Sequence, residues 1–173
     1  MVSPTRRLAL FLGTAAALGL ASAGTLQAQD DVGLAVGTAA PSAAVQDLDG
    51  RPVDLAQLVG RKPVIFEFWA TWCPLCAALM PKIQAAYGRY GADVDFVEVA
   101  VAVNETAASV RRHVEANHYP FRFLWDATGA AVRAYQAPTT SYVVVVNKAG
   151  RVVYTGTGED QDIDTAIRKA IGS

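Results

Sequence analysis

Val64-Ile65-Phe66-Glu67-Phe68-Trp69-Ala70-Thr71-Trp72-Cys73-Pro74-Leu75-Cys76 passes from an apolar run into a proline-bearing turn with two cysteines three apart. Val64 to Trp69 is a continuous series of β-formers broken only by Glu67, the pattern of a central strand covered on both faces. Pro74 to Tyr90 repeats apolar residues at helical spacing, through Leu75, Leu79, Ile83, Ala86 and Tyr90. Pro81 falls inside that helix and is expected to kink it, and Gly91 ends it. The cysteines therefore sit where a buried strand hands over to a helix.

That junction has chemical consequences. The first turn of a helix offers unpaired backbone N–H groups and the positive end of the dipole. A thiolate at Cys73 is stabilised there, and its pKa falls below that of a free thiol. Pro74 suits the first helical position, where a missing N–H costs nothing. Cys76 returns one turn later, within reach of Cys73. Cys73, exposed at the strand end, is expected to attack a partner disulfide, and the more shielded Cys76 to resolve the mixed disulfide. Run backwards, the same steps oxidise a partner.

These are the only two cysteines in the 173 residues. A staple of this size would constrain the unfolded chain by only roughly 2 kcal/mol, so a purely structural bridge explains the pair poorly. Zinc requires four ligands, and only His113 and His118 remain, far along the chain; no metal is expected. Haem attachment needs His after the second cysteine, where Ala77 stands.

Upstream, Arg6 and Arg7 precede an apolar run from Leu8 to Leu20, and Ala21-Ser22-Ala23 or Leu26-Gln27-Ala28 offers a small-x-small cleavage site. Residues 1–28 read as a secretory signal; the alternative is an uncleaved N-terminal membrane anchor, for which the run is short. Thr5-Arg6-Arg7 only partly fits a twin-arginine signal, because Ala9 follows, and no cysteine marks a lipoprotein. Residues 29–42 read as a flexible lead-in, and 43–173 as one domain. With 52% hydrophobic residues the domain can build its own core. The net charge is -1 for the whole chain, which gives no support for nucleic acid or an anionic membrane surface as partner.

Further along, Ala43–Leu48 and Arg51–Asp54 flank Asp49-Gly50 as a hairpin. Leu55 to Val59 reads as a short helix stopped by Gly60. Val94–Val103 and Tyr142–Val146 read as strands, Glu105–Asn117 as a helix, Val152–Thr155 as a strand after the Asn147–Gly150 turn, and Asp160–Ile171 as the last helix. The predicted order is a β-hairpin, then βαβα, then ββα. It implies an α/β fold with a central mixed sheet, parallel in the middle and flanked by helices.

With these residues in view, the segment Glu67–Cys76 resembles the active-site stretch of the thioredoxin superfamily. The Asp47–Val53 hairpin resembles the N-terminal extension of its exported TlpA/ResA-like branch. The likeness covers about residues 36–172 and rests on the acid in the strand, the W-C-x-x-C, the helix proline eight after the first cysteine, and Pro138-Thr139 before the late strand. The resemblance implies a thioredoxin-like fold and four further roles. Pro138 is expected to be a cis-proline beside the cysteines. The backbone of Ala137 is expected to pair with the substrate chain. Glu67 is expected to be a buried acid that takes the proton of Cys76. Trp72, with Pro74, is expected to shield the disulfide and touch substrate. Thioredoxins proper carry a lysine near the acid; this chain offers Glu98 instead. Trp69 and Trp125 are expected in the core, and His113 and His118 on solvated helix surface.

By the same resemblance the chain is an extracytoplasmic or periplasmic, monomeric thiol–disulfide oxidoreductase. It would need no cofactor beyond its own disulfide. It would reduce disulfide-containing proteins, as in cytochrome c maturation, at the expense of an inner-membrane thiol-reducing electron donor. Three alternatives stand beside that reading. One is an oxidase of folding proteins, since the residues between the cysteines tune a potential ranging over about 150 mV in this superfamily. Another is a Cu(I) carrier without turnover. The third is a peroxidase, disfavoured because Ala70 and Phe66 replace the Thr and Pro such enzymes require.

Overall fold

The computed structural model describes residues 33–173, and the signal or anchor expected over 1–28 lies outside the described residues. Seven strands form one sheet in the order β2-β1-β5-β4-β3-β6-β7. They are β1 (Ala44–Asp47), β2 (Pro52–Asp54), β3 (Val64–Trp69), β4 (Asp95–Val101), β5 (Arg122–Asp126), β6 (Tyr142–Val146) and β7 (Val152–Gly156). Four helices interleave with them: α1 (Pro74–Tyr90), α2 (Ala107–Asn117), α3 (Ala130–Ala134) and α4 (Ile163–Ile171). A 3-10 turn, Leu55–Leu58, follows β2.

The centre is parallel. β3 runs alongside β4 from Val64↔Asp95 to Trp69↔Ala100, and β4 alongside β5. The flanking pairs β3–β6, β6–β7, β1–β5 and β1–β2 are antiparallel. Every residue of β3 is buried, which is why it reads as an unbroken apolar run. Side chains alternate across the sheet, so Ile65, Glu67 and Trp69 share one face. Ile65 packs there in one cluster with Leu79 and Ile83 of α1 and Ile163 and Ile167 of α4.

Local chemistry sets the helix starts. The Thr106 hydroxyl accepts from Ser109 N–H at 3.2 Å while the Ser109 hydroxyl accepts from Thr106 N–H at 3.0 Å, a reciprocal cap for α2. Asp162 caps α4 through Thr165 N–H at 3.0 Å.

Two elements were not expected. β5 and α3 lie between α2 and β6, so the order is a hairpin, then βαβαβα, then ββα. Each is only five residues long, and α3 begins at Gly129 in the left-handed region with no side-chain cap. Neither has the length or capping signal that a sequence pattern registers. β5 matters for the architecture, because Gln46↔Trp125 and Asp47↔Leu124 join the hairpin to the central strands.

Residues 33–42 also differ from the mobile lead-in expected. Leu34 is buried, and its N–H donates to the Tyr142 hydroxyl at 2.9 Å. Gly37 N–H donates to Val152 C=O and Val152 N–H to Thr38 C=O, at 2.8 and 2.9 Å. The segment covers part of the β7 edge, which would otherwise leave ladder groups unpaired. Gly33 is required by its surroundings: φ is 82°, and a Cβ there would collide with the Tyr142 hydroxyl.

Candidate active site

Cys73 ends the turn after β3 and is the N-cap of α1, with extended backbone at φ -85° and ψ 110°. Its Sγ accepts a hydrogen bond from Cys76 N–H at 3.1 Å. Pro74 occupies the first helical position as expected. Cys73 and Cys76 form a disulfide with Cα atoms 5.3 Å apart. An amide proton aimed at the first sulfur, at the positive end of a 17-residue helix, is the arrangement that stabilises a thiolate.

One expectation is corrected here. Cys73 is not exposed in this disulfide form: it is 4% accessible, against 2% for Cys76. Its Sγ is bonded to that of Cys76, three residues on in the first turn of α1. The exposed groups are its neighbours Trp72 and Leu75, with Val103 on the next loop.

The turn is tied down across 34 positions of sequence. Glu105 accepts from Thr71 N–H at 3.3 Å and from the Thr71 hydroxyl at 2.5 Å, both on Oε2. Trp72 Nε1–H donates to Val103 C=O at 2.7 Å. Between these contacts Asn104 takes φ 55°, a left-handed conformation that costs a non-glycine residue energy. It turns the β4–α2 loop so that Val103 C=O and the Glu105 carboxylate both meet the 71–72 turn. None of Thr71, Val103, Asn104 and Glu105 stood out in the sequence, because no short-range pattern links them.

Beside the turn lies a groove of about 320 Å³, walled by Trp72, Val103, Val101, Val132, Ala137 and Pro138. Trp72, Ala137 and Pro138 are thus brought together as expected. The Ala137–Pro138 bond, however, is trans, as are all peptide bonds among the described residues. The two isomers before proline differ by only about 0.5–1 kcal/mol. The loop makes its turns instead at Gln136 and Ser141, with φ of 50° and 58°. Ala137 N–H is also engaged, donating to Val132 C=O at 2.9 Å, where it satisfies a carbonyl of the short helix α3. Another hollow, about 180 Å³ beside Tyr87 and Phe121, lies at the N-terminal end of β4 and holds no cysteine.

Glu67 is buried in the face of β3 that α1 covers, 1% accessible. Its register partner on β4 is Glu98, also 1% accessible. Burial pushes the Glu67 carboxyl well above the ordinary range, while a hydrogen bond with Glu98 pulls it partly back. Burial likewise raises Glu98, and the Glu67 charge raises it further. Both oxygens of Glu67 and Oε2 of Glu98 lack a donor from the rest of the protein, so the bond between the two exists only when one of them carries a proton.

The remaining residues sort simply. Trp69 is 2% accessible and meets Phe123 edge-on at 5.5 Å, and Trp125 is buried on β5. His118 is exposed, as expected. His113 is half-buried rather than solvated, its ring 5.7 Å from that of Trp69 and 6.1 Å from that of Tyr119.

Comparison with known proteins agrees with this geometry. The Redoxin family model matches residues 35–170. A thiol–disulfide oxidoreductase ResA from Geobacillus thermodenitrificans is 32% identical over 133 residues, 75% of each chain. ResA from Halalkalibacterium halodurans is 31% identical over 117 residues, 66% of this chain and 64% of that protein, so the match spans a little under two thirds of that relative's length. Among solved structures, a thioredoxin-family thiol:disulfide interchange protein from Chlorobium tepidum superposes with a TM-score of 0.62 and 27% identity, covering 79% of this chain and 98% of the other. The thioredoxin domain of a Bacteroides vulgatus thiol-disulfide oxidoreductase shares the fold, with a TM-score of 0.68 over 80% of this chain and 99% of that one at 20% identity.

Proposed function

Because the chain belongs to the Redoxin family, as a TlpA/ResA-like thiol–disulfide oxidoreductase of the thioredoxin superfamily, we propose that it reduces disulfides of partner proteins outside the cytoplasm through Cys73 and Cys76. The observation that carries the reading is Cys73 Sγ at the start of α1, accepting the Cys76 amide proton at 3.1 Å.

The cycle starts from the dithiol. The Cys73 thiolate attacks one sulfur of the partner's disulfide, and the other leaves as a thiolate. Cys76 then gives its proton to the buried Glu67 in its carboxylate form and attacks Cys73 Sγ. The Cys73–partner bond breaks, its electron pair departs on the partner sulfur, and the Cys73–Cys76 disulfide reforms. Two electrons have moved to the partner, and a thiol-reducing donor at the inner membrane restores the dithiol. Trp72 and Pro74 are the chain neighbours of Cys73, and the groove lined by Trp72 and Pro138 takes the partner chain beside its cysteine. The Ala137 carbonyl supplies the backbone contact, since its N–H is engaged by Val132.

Support for an extracytoplasmic site comes from the Arg6-Arg7 and Leu8–Leu20 pattern and from the resemblance to the exported TlpA/ResA branch. The same resemblance supports a role in cytochrome c maturation. Dithiothreitol-driven reduction of insulin tests the activity: the wild type accelerates it and Cys73→Ser does not. Equal rates would refute the reading. Alkylation and gel shift of the protein from cells tests the direction, with a reduced pair expected; an oxidised pair would make the protein an oxidase of folding proteins.

A further inference from the structure

We propose that Glu98 is the second half of a one-proton carboxyl pair with Glu67, and that the pair, rather than Glu67 alone, accepts and returns the proton of Cys76. The proposal rests on the thiol–disulfide exchange reading above and assigns a role to a residue that reading leaves unused. Glu98 acts through Glu67, so it is a positioning residue.

Geometry carries the argument. The two glutamates are register partners on adjacent parallel strands, so their side chains leave the sheet on the same face and side by side. Each is 1% accessible. Neither has an ion-pair partner among the described residues, and three of their four carboxyl oxygens lack any donor from elsewhere in the protein.

The surroundings supply almost nothing to neutralise them. β6 presents Val143 opposite Glu67, and β5 presents Phe123 opposite Glu98. α1 brings Leu79, Met80 and Ile83, with the Cys76 thiol as its titratable group, and α4 brings Ile163 and Ile167. From α2 comes His113, whose ring rests on Trp69, and after α2 comes the Tyr119 phenol. Two bare carboxylates in such a layer would repel each other without solvation. With one proton between them, the acid donates to the carboxylate, each gains a hydrogen-bond partner, and the layer holds one charge instead of two.

The pair suits the resolving step. Cys76–SH passes its proton to the carboxylate of the pair, which becomes doubly protonated and neutral. The sulfur's electron pair forms the bond to Cys73 Sγ as the partner thiolate leaves. No extra charge remains in the core, and the pair then returns one proton to solvent.

The test uses the full oxidised chain labelled with 13C at glutamate carboxyls, followed by NMR across pH. In the wild type Glu67 and Glu98 are expected to titrate together in two well-separated steps, each step moving both signals. In Glu98→Gln the amide donates to the Glu67 carboxylate and the like charge is gone. Glu67 is then expected to titrate in one step, at least one pH unit below the upper wild-type step. The pH profile of the second, resolving phase of reaction with 5,5′-dithiobis(2-nitrobenzoate) should move the same way. Should Glu98→Gln fold poorly, Glu98→Leu should also collapse two steps into one. Two independent single steps in the wild type, or a resolving phase unmoved by Glu98→Gln, would overturn the proposal. The carbon titration reads the pair whether or not the protein reduces insulin, so a failure of the exchange reading and a failure of the pair are separate results.

Discussion

Replacing Glu67 and Glu98 together by Leu should remove a pH dependence of folding stability that the wild type must show. Both carboxyls are raised above their ordinary range, burial being the first cause in each. In the unfolded chain they ionise near pH ~4.3, so above about pH 5.5 the unfolded state holds none of their protons while the folded pair, with Glu67 pushed up to about 8, holds at least one. The difference in bound protons, unfolded minus folded, is then negative and at least one in size. Stability falls by at least about 1.4 kcal/mol for each pH unit gained, until the folded pair itself loses its last proton. Between pH 5.5 and 7.5 the loss is at least about 3 kcal/mol, a large share of a domain's stability. Asp47, Asp54 and Asp162 act in the opposite sense. Their carboxylates are held below the usual range chiefly by backbone N–H groups of Arg51, Ala56 and Thr165, so what they add is lost as pH falls, below this window. Urea unfolding of the oxidised protein at pH 5.5, 6.5 and 7.5, at constant ionic strength, measures the slope. A flat or rising wild-type curve, or a double-Leu variant that keeps the wild-type slope, would refute the argument.

Glu105→Ala removes both hydrogen bonds to Thr71 and loosens the Trp72 wall of the groove; KM for insulin should rise by up to about tenfold, the worth of one to two such bonds, with a smaller change in kcat. A kcat loss at constant KM would show that the clamp serves the chemistry and not partner binding. Ile83→Ala, at a fully buried position of α1, should cost about 2–5 kcal/mol in urea unfolding. Arg89→Ala should cost under about 1 kcal/mol, because the Arg89–Asp164 ion pair joins an exposed arginine to a half-buried aspartate at the surface. A larger loss for Arg89→Ala than for Ile83→Ala would invert the assignment of core and surface.

The parts of the fold legible in sequence were those with long, regular patterns. β3, α1 and β6 fall where periodicity placed them, because each is buried along its length or along one full face. β5 and α3 escaped notice, being five residues each and lacking capping signals. The segment 33–42 looked like a linker by composition, yet it is docked by backbone hydrogen bonds and one buried side chain, Leu34, and backbone bonding leaves little trace in residue type. In the site, the placement of Cys73 and Cys76 at a helix start and the burial of Glu67 were readable, because strand, turn and helix patterns converge there. The clamp from Thr71 to Glu105 was not, since it joins residues 34 apart through a single left-handed Asn104. The isomer at Pro138 was misjudged because so small an energy difference is decided by tertiary context.

The central claim is an ordered exchange in which Cys73 attacks and Cys76 resolves. Its most direct measurement is mass spectrometry of covalent adducts formed when reduced Cys76→Ala and reduced Cys73→Ala are each mixed with a disulfide-bonded peptide. The account predicts a stable mixed disulfide on Cys73 in the Cys76→Ala protein and little or none in the Cys73→Ala protein; abundant adduct on Cys76 alone would contradict it.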